Sequence, residues 1–169
     1  MSGLNPEKHE LLEIAVLITD GNLNILEEKG FERVIHHPEY ILNSMDIWCK
    51  EHHQKSGLIQ RVLSSSHTLA STELELLEYL QKYVPKPKVA MLAGNSVYVD
   101  RAFLFRYIPR IIEYLHYRII DVSTIKELAR CWNHYVFQNA PKKKANHRAM
   151  DDIRESIEEL RYYKKSWLT

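Results

Sequence analysis

The sequence predicts an α/β domain, and three observations predict it. The apolar run Leu11 to Thr19 is followed by turn chemistry and two further extended stretches, which reads as a strand meander. Two later apolar runs, Val89 to Ala93 and Arg118 to Val122, alternate with helical patterns, as the strands of α/β sheets do. The length, 169 residues, suits one domain with a real core, so 1–169 reads as a single domain.

The elements follow in order. Met1 to Glu10 reads as a turn, because Gly3, Asn5 and Pro6 break any regular element. Leu11 to Thr19 is a buried strand, Asp20-Gly21-Asn22 turns it, and Leu23 to Glu27 returns as its hairpin partner, with Phe31 to Ile35 as a third strand. From His37 to Ser66 the pattern is helical and broken; Pro38 opens it and Gly57 interrupts it, with Met45, Trp48 and Cys49 on one face. Thr68 or Ser71 starts a helix through Tyr83, with Leu74, Leu77, Leu80 and Val84 inward and Pro85 ending it. After the strand Val89 to Ala93 come Gly94-Asn95-Ser96, a helix around Asp100 to Tyr107, a stop or kink at Pro109, and a helix through Ile111 to Leu115. Following the strand Arg118 to Val122, Thr124-Ile125-Lys126-Glu127 has the form of a capping box. Asn139 to Asn146 is a loop with Pro141 and three lysines, and a final helix closes the chain.

Charge and cysteine usage exclude several classes. With 23 basic against 22 acidic residues, no general electrostatic grip on long nucleic acid is expected, although a short or single-stranded ligand is compatible. Cys49 and Cys131 have no metal or redox spacing, so reduced thiols and a cytosolic or organellar interior are expected. No run approaches the roughly 18 apolar residues of a membrane helix, and no signal peptide opens the chain.

The most informative stretch runs from Ala145 to Leu160. On a wheel of about 100° per residue, Ala149, Ile153, Ile157 and Leu160 form an apolar stripe; Asp152 borders it and Asp151 points to water. His147 precedes Asp152 at the helix start. Asp100 sits just after a strand, where ligands gather in such sheets. Two acids and a histidine on separate elements suggest metal-assisted hydrolysis, with Asp100 and Asp152 as ligands of a hard divalent ion and His147 as general base. A capped amphipathic helix with acids at its N-terminus is the bland alternative. Glu7, Glu10, Glu13 and Asp20 are further acids, but none lies in an Asp-X-Glu pattern at a strand end.

Over nearly its whole length the chain resembles the oligoribonuclease family of DEDDh 3′-to-5′ exonucleases. The resemblance is carried by Met1 to Leu4, Ser44 to Cys49, Gly94 to Asp100, His116 to Thr124, and His147 to Ser156. It implies a ribonuclease-H-like fold with a mixed five-stranded sheet flanked by helices, a homodimer, and magnesium or manganese as cofactor. It also implies a substrate of about two to five nucleotides of single-stranded RNA, trimmed to mononucleotides, a ligand too short for many phosphate contacts. Asp100 and Asp152 match the family's metal ligands, and His147 its general base. Leu4 matches a leucine wedged against the terminal bases, Trp48 an aromatic beside the substrate, and Ser96 a polar contact to the substrate end. Tyr117, Arg118 and Ser123 match residues that reach the partner subunit's site and cap the 5′ phosphate; the planar fork of an arginine suits that task.

One departure stands out. The family's Asp-X-Glu motif ends its first, central strand directly before the Met1 equivalent, and neither motif nor strand lies in these 169 residues. The expectation is a domain with that strand missing, impaired in activity and folding, from a misplaced gene start or an alternative isoform. An alternative is an inactive chain that dimerises or binds short RNA. The compartment expected is cytoplasmic or mitochondrial. Elsewhere, the pairs His36-His37 and His52-His53 read as surface residues and Lys142 to Lys144 as a solvated loop. Tyr162, Tyr163 and Trp167 read as packing or dimer contacts.

Overall fold

A computed structural model describes residues 1–142 and 148–168. Strand β1 (Glu13–Val16) pairs antiparallel with β2 (Phe31–Val34), Glu13 opposite Val34 and Val16 opposite Phe31. The returning strand expected at Leu23 to Glu27 is reduced to one antiparallel bridge, Thr19 with Ile25. Side chains take the backbone groups a ladder would use. Asp20 Oδ1 accepts from the N–H of Asn22 and of Asn24, and the Glu27 carboxylate accepts from those of Lys29 and Gly30. The meander is therefore two strands and a looped excursion.

Three short helices follow, α1 (Glu39–Asn43), α2 (Ile47–Lys55) and α3 (Leu58–Ser64). Asp46 caps α2 by accepting the Cys49 N–H at 2.7 Å. Gly57, at φ 73°, makes the left-handed turn between α2 and α3. Met45 and Cys49 are buried as expected, but Trp48 faces away from them into solvent. His37, expected at the surface, is buried, its Nε2 3.0 Å from the Leu11 carbonyl. Helix α4 (Leu69–Tyr83) starts at Thr68, which forms a reciprocal capping box with Ser71. Its inner face carries Thr72, Leu76 and Leu80, with Leu77 and Val84 packed at the margin; Leu74, expected inward, is 49% exposed.

Strand β3 (Leu92–Gly94), helices α5 (Val97–Tyr107) and α6 (Pro109–Tyr114), and strand β4 (Ile119–Asp121) form a parallel β-α-β unit. Pro109 occupies the first position of α6, where its missing N–H costs nothing. Helix α7 (Val122–Trp132) begins earlier than the capping box at Thr124 implied, because Asp121 is its cap and accepts the Ser123 N–H at 2.9 Å. Helices α8 (His134–Gln138) and α9 (Ala149–Tyr163) follow, the last running into a wider π-helical turn, Lys164–Leu168.

Among the described residues the four strands form two separate two-stranded sheets. They share one apolar cluster: Ile14 and Phe31 from the first pair, Leu76, Leu80, Phe103, Leu104 and Ile111 from the helices, with Leu92 of β3 on its margin. Two smaller clusters flank it, one under α1 to α3 around Leu12, Met45 and Val62, the other joining Val122, Ala129, Val136 and Tyr163. Tyr163 is fully buried and Trp167 meets Trp132 edge-on at 6.5 Å, so these aromatics pack within the chain.

Candidate active site

Helix α9 presents a different face from the one its apolar stripe suggested. Its buried positions are Ser156, Glu159 and Tyr163. On a wheel of about 100° per residue these surround the bearing of Asp152 within roughly 40°. Asp152 therefore stands on the buried side of the helix, one turn before Ser156, whose hydroxyl donates to its carbonyl at 2.8 Å. Ile153, Ile157 and Leu160 lie on the flank and are only partly covered, and Asp151, expected in water, is partly covered too.

A buried carboxylate explains the rotation. Glu159 is 2% exposed and accepts from the Asn95 amide at 3.1 Å and the Tyr163 hydroxyl at 3.3 Å, with the Lys126 ammonium 3.7 Å away. It needs these partners, since a lone buried charge is heavily penalised. Burial, and then the neighbouring Glu159 carboxylate, push the Tyr163 hydroxyl above the ordinary tyrosine range. Through Glu159, α9 is tied at once to α7 and to the turn after β3.

That turn carries the densest set of contacts. Ser96 sits in the left-handed region (φ 51°, ψ 35°), and its N–H donates to Asp121 Oδ1 and to Ser123 Oγ, both at 2.9 Å. The Ser96 and Ser123 hydroxyls lie 3.3 Å apart. Ser123 thus meets Ser96 within the chain. Asp100 follows in the first turn of α5. Burial raises its carboxyl above the usual aspartate range, with the Asp121 carboxylate adding to the rise.

Leu4 and Trp48 are both exposed. Leu4 is 79% exposed on a loop held by the Ser2 N–H on the Glu10 carbonyl and the Glu10 N–H on the Ser2 hydroxyl. Trp48 is 62% exposed, stacked on His52 with ring centres 3.9 Å apart. His53 Nε2 donates to the Met1 carbonyl at 2.9 Å, linking the helix of Trp48 to the loop of Leu4. At the start of β4, Arg118 lies over the exposed Tyr117 ring at 5.4 Å, and His116 stacks on the same ring at 4.5 Å.

The structure thus joins Ser96 with Ser123, and Tyr117 with Arg118, and links the segments of Leu4 and Trp48. His147 lies outside the described residues. Among the described residues no three histidine, cysteine or acidic side chains gather as metal ligands. Asp100 and Asp152 are two carboxylates where a hard divalent ion takes several oxygen donors, so they do not complete a metal site on their own. Asn95, Asp121 and Glu159 were missed from the sequence. The signal for Glu159 was the spacing 152, 156, 159, 163, which repeats at helical period. For Asp121 it was an aspartate two residues before a serine at a strand's end.

Comparison with known proteins supplies the context. The RNase_T exonuclease profile matches residues 1–160. The chain is 51% identical over 166 residues to the mitochondrial oligoribonuclease of Homo sapiens, covering 98% of this chain and 69% of that protein. It is 52% identical over 169 residues to a probable oligoribonuclease of Schizosaccharomyces pombe, covering 100% of this chain and 66% of the relative. It is 45% identical over 168 residues to an oligoribonuclease of Haemophilus influenzae, covering 99% and 91%.

Proposed function

The chain belongs to the oligoribonuclease branch of the exonuclease family, and from that premise we propose a specific division of labour among its residues. The family activity is 3′-to-5′ exoribonucleolysis on short RNA, within the ribonuclease-H-like α/β class. The proposed substrate is RNA of about two to five nucleotides, held as a single strand and released as mononucleotides.

The observation that carries this reading is the exposure of Leu4 and Trp48 on segments tied together by His53. A leucine at 79% and a tryptophan at 62% exposure offer apolar surface to solvent on segments joined by the His53–Met1 hydrogen bond. A base stacked on an aromatic face gains about 1–3 kcal/mol, a large share of the affinity available to a dinucleotide. In this proposal Leu4 and Trp48 hold the terminal bases. Ser96 and Ser123 donate hydroxyls to the 5′ phosphate, and Arg118, steadied over Tyr117, pairs with its oxygens. Tyr117 closes that cap, in a homodimer, toward the partner's site.

Asp100 and Asp152 are the proposed ligands of magnesium or manganese, and His147 the general base. When bound, such ions supply charge stabilisation at the phosphodiester. The donor set is incomplete, since no third metal-ligating side chain joins the two carboxylates among the described residues. We propose that a further Asp-X-Glu strand belongs between the two sheets, as fifth and central strand. Supporting this, among the described residues β1 and β3 each have a ladder partner on one side only, while both border one cluster.

In this proposal the 169 residues form one domain with little or no hydrolysis by themselves; the alternative is an inactive chain that dimerises or binds short RNA. The relatives named as mitochondrial support a mitochondrial compartment, with a cytoplasmic one as the alternative. No helix among the described residues is long and apolar enough to cross a membrane. The test compares mononucleotide release from a dinucleotide, with manganese, by these 169 residues and by a version extended with a strand ending in Asp-X-Glu. The extended protein is expected to be faster by orders of magnitude. Equal rates would remove the incomplete-site proposal, and an extended protein inert on dinucleotides would remove the substrate assignment.

A further inference from the structure

The turn after β3 is held in an unfavourable conformation by a carboxylate that the division of labour above does not use. Ser96 has φ 51°, in the region that residues with a Cβ avoid, and serine has no special tolerance for it. Something must hold it there, and the geometry shows what. The Ser96 N–H points at the start of α7 and meets Asp121 Oδ1 at 2.9 Å and Ser123 Oγ at 2.9 Å. The same Oδ1 accepts the Ser123 N–H at 2.9 Å. One oxygen thus joins the turn after β3 to the first turn of α7, and the result is two hydroxyls 3.3 Å apart. From the other side, Asn95 is anchored on Glu159 at 3.1 Å, so the turn is clamped between two carboxylates.

We propose that Asp121 is a positioning residue that aligns the Ser96 and Ser123 hydroxyls as a paired donor for the 5′-terminal phosphate of a short RNA. The inference rests on the reading of those two serines as phosphate contacts. Its logic is geometric, because a carboxylate near a phosphate opposes binding by charge. If Asp121 acted only as a charge, removing it would strengthen phosphate binding. If it acts by placing the hydroxyls, displacing its oxygen weakens phosphate binding even with the charge retained.

The experiment measures affinity by calorimetry, in EDTA, for a 5′-phosphorylated dinucleotide and for the same dinucleotide with a 5′ hydroxyl. Asp121→Ser keeps a good cap for α7 but is one bond shorter and does not span both N–H groups. Asp121→Glu keeps the charge and moves the oxygen, and Asp121→Asn keeps the oxygen and removes the charge. The wild-type chain is expected to prefer the phosphorylated probe. Asp121→Ser and Asp121→Glu are expected to lose about tenfold of that preference, the scale of one well-placed hydrogen bond, while Asp121→Asn stays within about threefold. Unchanged or increased preference in Asp121→Ser overturns the inference. Should that variant not fold, Asp121→Glu decides by the same criterion. Absence of any preference in the wild-type chain overturns the phosphate reading itself, and this inference with it.

Discussion

Trp48 gives the sharpest test of the candidate site, because packing and binding roles predict opposite results for one substitution. A tryptophan can bury up to about 250 Å², and at 62% exposure roughly 150 Å² of Trp48 remains in solvent. A base laid on one face covers about half of that, and at about 25 cal/mol per Å² this contributes about 2 kcal/mol. Its other face already rests on His52 at 3.9 Å, so the ring is ordered before the ligand arrives. Trp48→Ala should therefore weaken dinucleotide binding by about thirtyfold. The same substitution should move the thermal midpoint little, since surface changes are usually within about 0.5 kcal/mol. Trp48→Phe should recover most of the affinity. Calorimetric titration and a thermal melt on each variant suffice. A fall of many degrees with unchanged affinity would refute the reasoning and make Trp48 a packing residue.

Three further outcomes follow from the fold. Glu13 has a largely buried side chain that approaches Arg61 at 2.8 Å, yet its Oε1 makes no aligned hydrogen bond among the described residues. Burial therefore outweighs the arginine and raises its carboxyl above the ordinary 4.5. A raised carboxyl contributes stability below its unfolded value that is lost as pH rises through the folded one. Melts of Glu13→Gln and wild type should diverge as pH rises past the ordinary 4.5, with the wild type losing ground; the opposite trend would reverse the sign of the burial effect. Phe103 is 0% exposed at the centre of the main cluster, so Phe103→Ala should cost about 3–5 kcal/mol in urea denaturation, and a loss under 1 would mean the site collapses freely. Thr68→Ala opens the capping box of α4 and should cost about 1 kcal/mol; no change in the denaturation midpoint would mean water replaces the cap.

The stop-and-start chemistry of several elements was legible because it is local. Thr68 with Ser71, Pro109 at the head of α6, and Gly57 between α2 and α3 depend only on near neighbours. The alternation of short apolar runs with helices was likewise enough to set the α/β class. Reading failed where local side chains outcompeted a periodic pattern, as when Asp20 and Glu27 took the backbone bonds of an expected strand.

By itself, the sequence determined the class, the family and the residue types available for chemistry, since motifs and short-range caps survive without knowing what packs on what. Only the tertiary structure decided which faces are used. The helical pattern put Leu74 inside, and the wheel placed Asp152 on the flank of an apolar stripe. The fold turned Leu74 outward and centred the buried face of α9 on Asp152, Ser156, Glu159 and Tyr163. The cause is a polar anchor: Glu159 found Asn95, Lys126 and Tyr163, and a satisfied buried carboxylate outweighed a row of isoleucines that could remain half covered. The meeting of Ser96, Asp121 and Ser123 has the same origin. It joins residues 25 and 27 positions apart, a distance that no local pattern spans and that the parallel pairing of β3 with β4 closes.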